Sequence, residues 1–316
     1  MYIKWKIFWV AALALVFLFQ ACVSSWQELV ISTAEEKQMG REFDSLIRRQ
    51  DPSVMQPSEK IWEPSGDAEQ ALYDFYQARG REVVKKIKED DFKSILTDEK
   101  LCRNNSQEAQ SVKVTCTKDN FFEFNIIKSN QVNAFAVPGG YVYFYTKILK
   151  QFKSESELIG VLGHEVGHVI KHHSRDRIVK QVGASAIIEA LLGEGMGATL
   201  ASLGTGFWLT SNGQKDESEA DGVGFYFTNE LGISSQGLGD FFARGLKSYD
   251  ATSGTCNEKE ESSVTDVFST HPPSCKRVND NTKRIKDAGQ TLVTHPLNKD
   301  YNGKTFTELV SAASLP

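Results

Sequence analysis

The chain has 316 residues, of which 40% are hydrophobic and 24% are charged, and its formal net charge is −5. This composition is normal for a globular protein with a substantial core, and the length fits one large domain with an N-terminal appendage. The slight excess of negative charge argues against nucleic acid as a partner and says little else.

The N-terminus has the pattern of an export signal. Two lysines precede an apolar run from Ile7 to Phe19, whose 13 residues are too few to span a bilayer. Cys22 follows the small residue Ala21 and resembles the lipidated cysteine of a bacterial lipobox, although Phe19 stands where leucine is usual. We therefore expect residues 1–21 to be a lipoprotein signal peptide and Cys22 to carry the lipid. An uncleaved anchor or a plain signal peptide is the alternative.

The residue after this cysteine bears on localisation. Val23, in place of aspartate, favours the outer membrane by resemblance to enterobacterial lipoproteins. We expect the periplasmic side of the bacterial outer membrane, with the lipid as the membrane contact, or otherwise secretion to the periplasm. Four cysteines remain, and an even number in an exported protein suggests two disulfides. Of the three possible connectivities we adopt the nearest-neighbour one, Cys102–Cys116 and Cys256–Cys275.

Helical periodicity dominates the first part of the mature chain. Thr33–Glu36 reads as a capping box before a helix that stops ahead of Pro52. Asp67 reads as the cap of a second helix that runs to about Asp90. These helices alone would form too thin a core, so we expect residues 22–92 to pack on the domain that follows.

From Val112 the hydrophobic period changes to two, which indicates strands at 112–116, 122–127, 132–137 and 141–145. Ser154–Glu157 is another capping box, and it opens a long helix. Farther on, the apolar segment from Val182 to Leu209 contains an uncharged stretch of only 15 residues, below the roughly 20 that span a bilayer. Buried helices are our interpretation of that segment, and a mobile flap with glycine hinges is the alternative.

The sequence GHEVGHVIK, from Gly163 to Lys171, lies on this long helix. His164 and His168 are four residues apart and project from one helical face, so that together they can hold one zinc ion. Glu165 beside them can take a proton from a water at the metal. Two histidines at this spacing are more often an ordinary surface or core feature, so the interpretation requires further ligands.

A downstream acidic segment supplies the missing ligand. A third histidine six residues after His168 would be one solution, but Ser174 stands there. Glu217 and Asp221 are four apart on one helical face. Glu217 can bind zinc while Asp221 accepts the Nδ1–H of a ligand histidine, and Glu219 points elsewhere.

These motifs carry a family resemblance. HEVGH, then ESEAD, preceded by Asn133–Gly140, resembles the gluzincin zinc metallopeptidase family of the CAAX prenyl endopeptidases and the HtpX heat-shock protease. Ser269–Pro272 followed by Arg277 is similar to the family's His-Pro segment, and His173 matches a histidine that often closes the metal helix. From the sequence we expect neither the several membrane helices of the prenyl protease and HtpX nor a tetratricopeptide-repeat domain after the His-Pro segment. The chain thus looks like a short, exported, lipid-anchored branch.

The resemblance implies an α+β, zincin-like fold, mainly helical, with a small mixed sheet whose edge strand borders the HExxH helix. It implies a zinc metallopeptidase domain at 93–290, a C-terminal tail at 291–316 and one Zn²⁺ per chain. The metal ligands would be His164, His168 and Glu217.

The resemblance also assigns roles around the metal. Glu165, His271 and Asp221 would be catalytic, with Asp221 and Arg277 supporting the ligands. His271 or Arg277 would donate to the oxyanion, and a fourth zinc ligand that keeps the enzyme latent is another interpretation of His271. An extended substrate would add to the edge strand through Asn133, Ala134, Phe135, Ala136, Gly139 and Gly140.

We therefore expect a zinc endopeptidase that hydrolyses misfolded or damaged cell-envelope proteins. The alternative is a metal-stabilised periplasmic chaperone or assembly factor with little proteolysis. Processing of prenylated proteins fits an exported chain poorly.

Overall fold

A computed structural model describes residues 31–91, 118–291 and 303–315, except positions 194, 209, 211, 245, 247, 251 and 258–269. The expected signal peptide, the lipidation site Cys22, the strand at 112–116 and the pair Cys102–Cys116 lie outside these residues, as does Ser269.

The described residues form helices around a small sheet. In chain order, the helices are α1 (Thr33–Arg48), α2 (Asp67–Lys85), α3 (Lys118–Phe121), α4 (Thr146–Gln151), α5 (Glu155–Ile170), α6 (His173–Val182), α7 (Ala184–Leu192), α8 (Met196–Trp208), α9 (Gln214–Glu230), α10 (Gln236–Ala243), α11 (Cys275–Asp287) and α12 (Phe306–Ala312). The strands are β1 (Lys60–Ile61), β2 (Glu123–Lys128), β3 (Ala134–Val137), β4 (Tyr141–Tyr145), β5 (Tyr249–Asp250) and β6 (Thr255–Cys256).

The main sheet has the strand order β1-β2-β4-β3. β2 and β4 are parallel, whereas the other two pairs are antiparallel. A 3₁₀ turn at Pro138–Gly140 joins β3 to β4. The predicted α+β class with a small mixed sheet is confirmed, and β3 lies at an edge of that sheet.

The strand β4 is buried on both faces, which explains its unbroken apolar sequence. Tyr141, Tyr143 and Tyr145 pack with α1, α7 and α8 in one hydrophobic cluster. Val142 and Phe144 point to the opposite face and pack with α2, α5 and α10 in a second cluster. The sheet therefore lies between two helical layers.

Two N-caps differ from the sequence predictions. The capping box of α1 joins Ser32 to Glu35, one residue earlier than predicted, because two overlapping pairs in the sequence have the required spacing. Glu36, the predicted partner, is buried and contacts α6 instead. Asp67 is the first residue of α2, and Gly66 occupies the cap position without a side-chain bond.

The described part of the predicted apolar segment includes α7 and α8. Gly183 and Gly204 take φ values of 91° and 70°, a conformation that favours glycine, and each marks a break in the helical path. The helix α8 packs on α1, and Ile187, Met196 and Leu200 are buried. Across the described residues, we find no helix with the length and apolar character of a membrane span.

The end of the chain adds to the core. Phe306 in α12 is buried, and its ring stacks on Phe75 of α2 with centroids 5.6 Å apart. The C-terminal residues 303–315 therefore contribute to the hydrophobic cluster that surrounds α5. The predicted disulfide Cys256–Cys275 is present, and it ties β6 to the start of α11.

Candidate metal centre

The helix α5 lies in the centre of the molecule. Every residue from Glu155 to Ile170 is buried. Ser154 is the N-cap and accepts from the backbone N–H of Glu157, as predicted. The Glu157 side chain accepts from the N–H of Lys153 rather than of Ser154, so only half of the predicted capping box forms.

Glycines on α5 allow α9 to approach closely. A Cβ added to Gly163 would lie 3.1 Å from the Cα of Gly224, and one added to Gly167 would lie 3.1 Å from the Cα of Ala220. Contacts this short leave no room for a side chain between the two helices. The small residues of both helices thus bring Glu217 and its neighbours next to the histidines of α5.

The three predicted metal ligands converge on one point. The Nε2 atoms of His164 and His168 are 3.0 Å apart. The carboxylate of Glu217 lies 3.5 Å from each of these nitrogens. All three side chains are almost completely buried.

Asp221 and Arg277 support this group from behind. Asp221 lies 2.9 Å from Nδ1 of His164, the ring nitrogen that faces away from His168. Arg277 donates to both carboxylate oxygens of Asp221, at 2.6 and 2.8 Å. Its Nη1 also lies 3.0 Å from Glu217, and its guanidinium stacks 3.8 Å from the ring centroid of Phe242.

His271 enters the same cluster from the segment before α11. Its Nδ1 is 3.1 Å from Nε2 of His164 and 2.9 Å from Glu217. Its Nε2 is 3.2 Å from the buried carboxylate of Glu165. His271 thus lies between the candidate general base and the metal ligands, and its Nδ1 could be a fourth ligand atom.

The pKa values in the cluster reflect burial and charge. Burial lowers the pKa of His168 well below its usual value, which favours the neutral ring that a metal ligand requires. Burial would also lower the pKa of His164, but its bonds to Asp221 and Glu217 raise it. Against the opposing effect of burial, the positive charges of His271 and Arg277 hold the pKa of Glu217 well below its ordinary value.

The pKa of His271 shows the excess of negative charge most clearly. Burial opposes protonation of this ring, yet the carboxylates of Glu217 and Glu165 raise its pKa to about 10. A protonated His271 and Arg277 therefore balance the negative charge of this buried cluster, and a divalent cation held by His164, His168 and Glu217 would take over that role.

The donor set fits zinc. Two imidazole nitrogens and a carboxylate with one further position form the usual ligand set of a catalytic zinc ion. Bonds of about 2.1 Å in a tetrahedron place ligand atoms about 3.4 Å apart, close to the separations among His164, His168 and Glu217. These residues are the ones that could hold the metal.

The sheet edge next to this cluster is already occupied. Asn133 accepts at its backbone oxygen from Tyr145, so in the antiparallel register Ala134 and Ala136 turn their backbone groups to the free edge. The carbonyl of Ala134 accepts from the hydroxyl of Thr270, and that of Ala136 accepts from Ser174. Thr270 also donates to the side chain of Asn133 at 2.6 Å, so it spans two of the predicted substrate contacts.

The remaining predicted substrate residues have other contacts. The ring of Phe135 stacks on Tyr143 at 5.0 Å within the sheet's hydrophobic cluster. Gly139 and Gly140 have positive φ values and lie against α1 and Phe121, where a Cβ would collide with backbone atoms. They shape the turn between β3 and β4. Ala134 and Ala136 are the residues whose backbone groups face the sheet edge, where Thr270 and Ser174 bond their carbonyls.

Four contacts at the site were not predicted from sequence. His173 places its Nδ1 2.8 Å from Nδ1 of His168, and Glu219 lies 3.2 Å from the other nitrogen of His173. Thr270 and Ser174 occupy the sheet edge. These residues lie within, or directly after, segments that the motifs had already marked, which is the signal that was available.

His172 lies outside the ligand cluster and contacts α1. Its φ of 56° turns the chain after α5, and its Nδ1 lies 2.8 Å from the buried carboxylate of Glu36 in α1. The turn lets His173 fold back onto α5.

Comparison with known proteins shows which family and which proteins this sequence is similar to. The model of peptidase family M48 matches residues 96–285, which is more than half of the chain. A putative beta-barrel assembly-enhancing protease of Vibrio cholerae is 28% identical over 177 residues, covering 52% of this chain and 35% of that protein.

Two relatives from Escherichia coli are similar at a comparable level. Metalloprotease LoiP is 26% identical, over 49% of this chain and 59% of its own length. Metalloprotease YcaL is 29% identical, over 51% of this chain and 61% of its own length. The matched part of the chain thus spans between 35% and 61% of these relatives.

Proposed function

This chain belongs to peptidase family M48, so the matched domain is a metallopeptidase domain, and we propose that the protein is a zinc-dependent endopeptidase of the bacterial cell envelope. The observation that carries the proposal is the convergence of His164, His168 and Glu217 beside the buried carboxylate of Glu165. A carboxylate next to a zinc site has a direct catalytic use, whereas a purely structural metal site has no need of it.

The chemistry divides between metal and protein. Bound zinc would polarise the scissile carbonyl and lower the pKa of the attacking water. Glu165 accepts a proton from that water and later returns it to the leaving amine. Asp221 holds His164 in the tautomer that leaves its Nε2 free to bind, and Arg277 keeps the Asp221 carboxylate in place.

Of the two candidate oxyanion donors, His271 has the better position. The donors of Arg277 are used by Asp221, by Glu217 and by the carbonyl of Pro272. His271 is 3.2 Å from Glu165 and therefore close to the reacting groups. Arg277 supports the ligands, and His271 is the residue that could donate to the oxyanion.

The contacts of His271 also favour a latent arrangement. Its Nδ1 lies within 3.1 Å of both His164 and Glu217, in the position where water and substrate must enter. Thr270 at the same time occupies the carbonyl of Ala134 at the sheet edge. In this arrangement the segment 270–271 blocks both halves of the site, and activity requires that it move.

Substrates would bind by strand addition. The carbonyl of Ala134 is the edge group that a peptide could use once Thr270 moves away, whereas Ser174 already bonds the carbonyl of Ala136. Main-chain bonds of this kind give affinity with little sequence preference. A peptide must be extended to pair in this way, so unfolded or damaged proteins are the proposed substrates. The envelope assignment rests on the export signal and the expected lipid at Cys22. The relatives named beta-barrel assembly-enhancing protease are consistent with it.

The test compares Glu165→Gln with Glu230→Gln, the same change at an exposed position of α9. A chemically unfolded protein is the substrate, and zinc content is measured in parallel. We expect Glu165→Gln to keep one zinc per chain and to lower the cleavage rate by about 10²–10⁴-fold, while the control cleaves normally. Unchanged cleavage in Glu165→Gln would refute the catalytic assignment.

The same variants separate the protease from the alternative chaperone. A wild-type protein that binds unfolded envelope proteins without cutting them, with Glu165→Gln equally able to restore envelope function, would favour the chaperone. Accumulation of uncut envelope proteins on Glu165→Gln, identified by mass spectrometry, would support the protease and reveal its substrates.

A further inference from the structure

The two ligand histidines of α5 have different supports on their outer nitrogens. His164 faces the carboxylate of Asp221 directly, at 2.9 Å. His168 faces another imidazole, that of His173, with 2.8 Å between the two Nδ1 atoms and ring centroids 4.9 Å apart. The second arrangement constrains where the protons lie, because a contact between two nitrogens requires one N–H and one lone pair.

The proton positions follow from the side of His168 that faces the ligand cluster. Its Nε2 is 3.0 Å from Nε2 of His164, so this is the nitrogen that must present a lone pair to a cation. The proton of a neutral His168 then lies on Nδ1 and is donated to His173. His173 must accept it at Nδ1, which places its own proton on Nε2.

The outer end of the chain of contacts is acidic, as this assignment requires. Nε2 of His173 lies 3.2 Å from the carboxylate of Glu219 and 3.9 Å from that of Asp216. Glu219 is the nearer acceptor, and Lys215 lies 3.5 Å from its other oxygen. From the ligand cluster out to Glu219, each ring nitrogen of His168 and His173 therefore either donates or accepts, and its neighbour has the complementary role.

We propose that His173 and Glu219 are positioning residues for His168. Glu219 accepts from Nε2 of His173, and His173 accepts at Nδ1 from His168, so that the lone pair of His168 points at the metal position. This inference rests on the proposed metal site. It assigns to His173 and Glu219 the task that Asp221 performs for His164.

The same geometry decides against a second cation at His173, Asp216 and Glu219, although these three groups are close enough to hold one. A cation on Nε2 of His173 would shift that ring's proton to Nδ1. His168 would then have to accept at Nδ1 and carry its own proton on Nε2, where it would point at the first metal position. One cation per chain is therefore the expected stoichiometry.

The sequence neighbour of His173 connects this support to the substrate edge. Ser174 donates to the carbonyl of Ala136 at 2.7 Å. The first two residues of α6 thus contact a metal ligand and the edge strand β3 in succession. A loss of support for His168 is expected to disturb the metal more than the sheet, because Ser174 holds the strand through a separate bond.

The test uses two replacements of His173 that differ in one property. Asparagine places an oxygen near the position of Nδ1 and can accept from His168, whereas leucine has a similar volume and no acceptor. Zinc affinity is measured by competition with a chromophoric chelator, after wild type and Glu217→Ala have established that zinc binds at the proposed site. The fold is checked by circular dichroism and thermal unfolding of the metal-free proteins.

We expect His173→Leu to weaken zinc binding about 10- to 100-fold and His173→Asn to stay within about threefold of wild type. Nitrogen NMR of the zinc-bound wild type should show His168 protonated at Nδ1. Equal affinities for the leucine variant and wild type, or equal losses for leucine and asparagine, would overturn the proposal, as would two zinc ions per chain. Failure of wild type to bind zinc, or full binding by Glu217→Ala, would instead refute the metal site itself.

A second pair of variants, at Glu219, tests the outer end of this chain of hydrogen bonds. Glu219→Gln keeps an acceptor for His173, whereas Glu219→Ala removes it, and the side chain of Glu219 is 40% exposed, so water can substitute in part. We expect a loss of about threefold to tenfold in zinc affinity for alanine only. An alanine variant that binds zinc as tightly as wild type would restrict the positioning role to His173.

Discussion

Replacement of Asp221 by asparagine tests the electrostatic support of the metal site at its strongest point. Asp221 is 2% exposed, and its two oxygens accept from Arg277 while one of them also faces Nδ1 of His164. Burial would raise the pKa of this carboxyl, but Arg277 and His164 hold it well below its ordinary value, so Asp221 is ionised at any pH of interest. Asparagine keeps the shape of the side chain and removes only the charge and one acceptor.

The structure predicts which bond is lost. One oxygen of Asp221 serves both His164 and Nη2 of Arg277, and the other serves Nε of Arg277 at 2.8 Å. The amide nitrogen of asparagine meets fewer donors if it occupies the position of the second oxygen, which faces only Nε of Arg277. His164 then keeps its acceptor, while the guanidinium loses its counter-charge and turns to Glu217, which it already approaches at 3.0 Å.

In this variant Arg277 competes with the metal for Glu217, and this competition sets the size of the expected loss in zinc affinity. Loss of a partner that supports a zinc ligand typically lowers metal affinity by about 10- to 100-fold, or about 1.4–2.7 kcal/mol. The guanidinium of Arg277 also keeps one buried carboxylate partner in place of two, and we expect this loss to destabilise the fold by up to about 3–5 kcal/mol, the cost of a buried charge left without its partner. Zinc affinity is measured by chelator competition, and stability by denaturant unfolding of the metal-free protein.

A double variant separates the two effects. Adding Arg277→Met removes the cation that has lost Asp221 as its partner and leaves an apolar side chain over Phe242, so we expect stability and part of the zinc affinity to return. The reasoning is refuted if folded Asp221→Asn binds zinc within about threefold of wild type. It is also refuted if the double variant is no more stable than the single one.

Two further predictions concern contacts outside the metal ligands. Thr270→Val removes the hydroxyl that holds the His-Pro segment to the sheet edge, so we expect about fivefold faster cleavage of an unfolded substrate, from about 1 kcal/mol of lost hydrogen bond, whereas Thr270→Ser should match wild type. A valine variant with unchanged or slower cleavage would contradict this role. Arg79→Met should lower the free energy of unfolding by about 3–5 kcal/mol, since it leaves the carboxylate of Glu155 buried without the cation that lies 2.6 Å away. Denaturant midpoints measure this loss of stability, and adding Glu155→Gln to Arg79→Met should recover most of it. If the double variant recovers nothing, Arg79 contributes only by filling space.

Local sequence patterns predicted the parts of the site that lie on single helices. About one turn of α5 contains His164, Glu165 and His168, and a spacing of four residues is sufficient to place the two histidine ligands on one face of the helix. The same holds for Glu217 and Asp221 on α9. These pairs required no knowledge of the chain path, because an α-helix has the same geometry wherever it occurs.

The sequence predicted where the sheet edge lies, but it predicted only some of the contacts made there. Extended apolar segments marked β3 and β4, and the register then left Ala134 and Ala136 with outward backbone groups. The pattern could not reveal that Thr270 and Ser174 occupy those groups, because both hydroxyls arrive from distant parts of the chain.

Contacts across helices depended on packing. Glu217 meets His164 and His168 because glycines on α5 and α9 let the two backbones approach to about van der Waals contact. His173 returns to His168 because His172 turns the chain at a positive φ. Sequence alone determined which side chains could bind a metal and support one another. The tertiary structure decided which of them meet, since distances between separate elements depend on close packing that local periodicity does not encode.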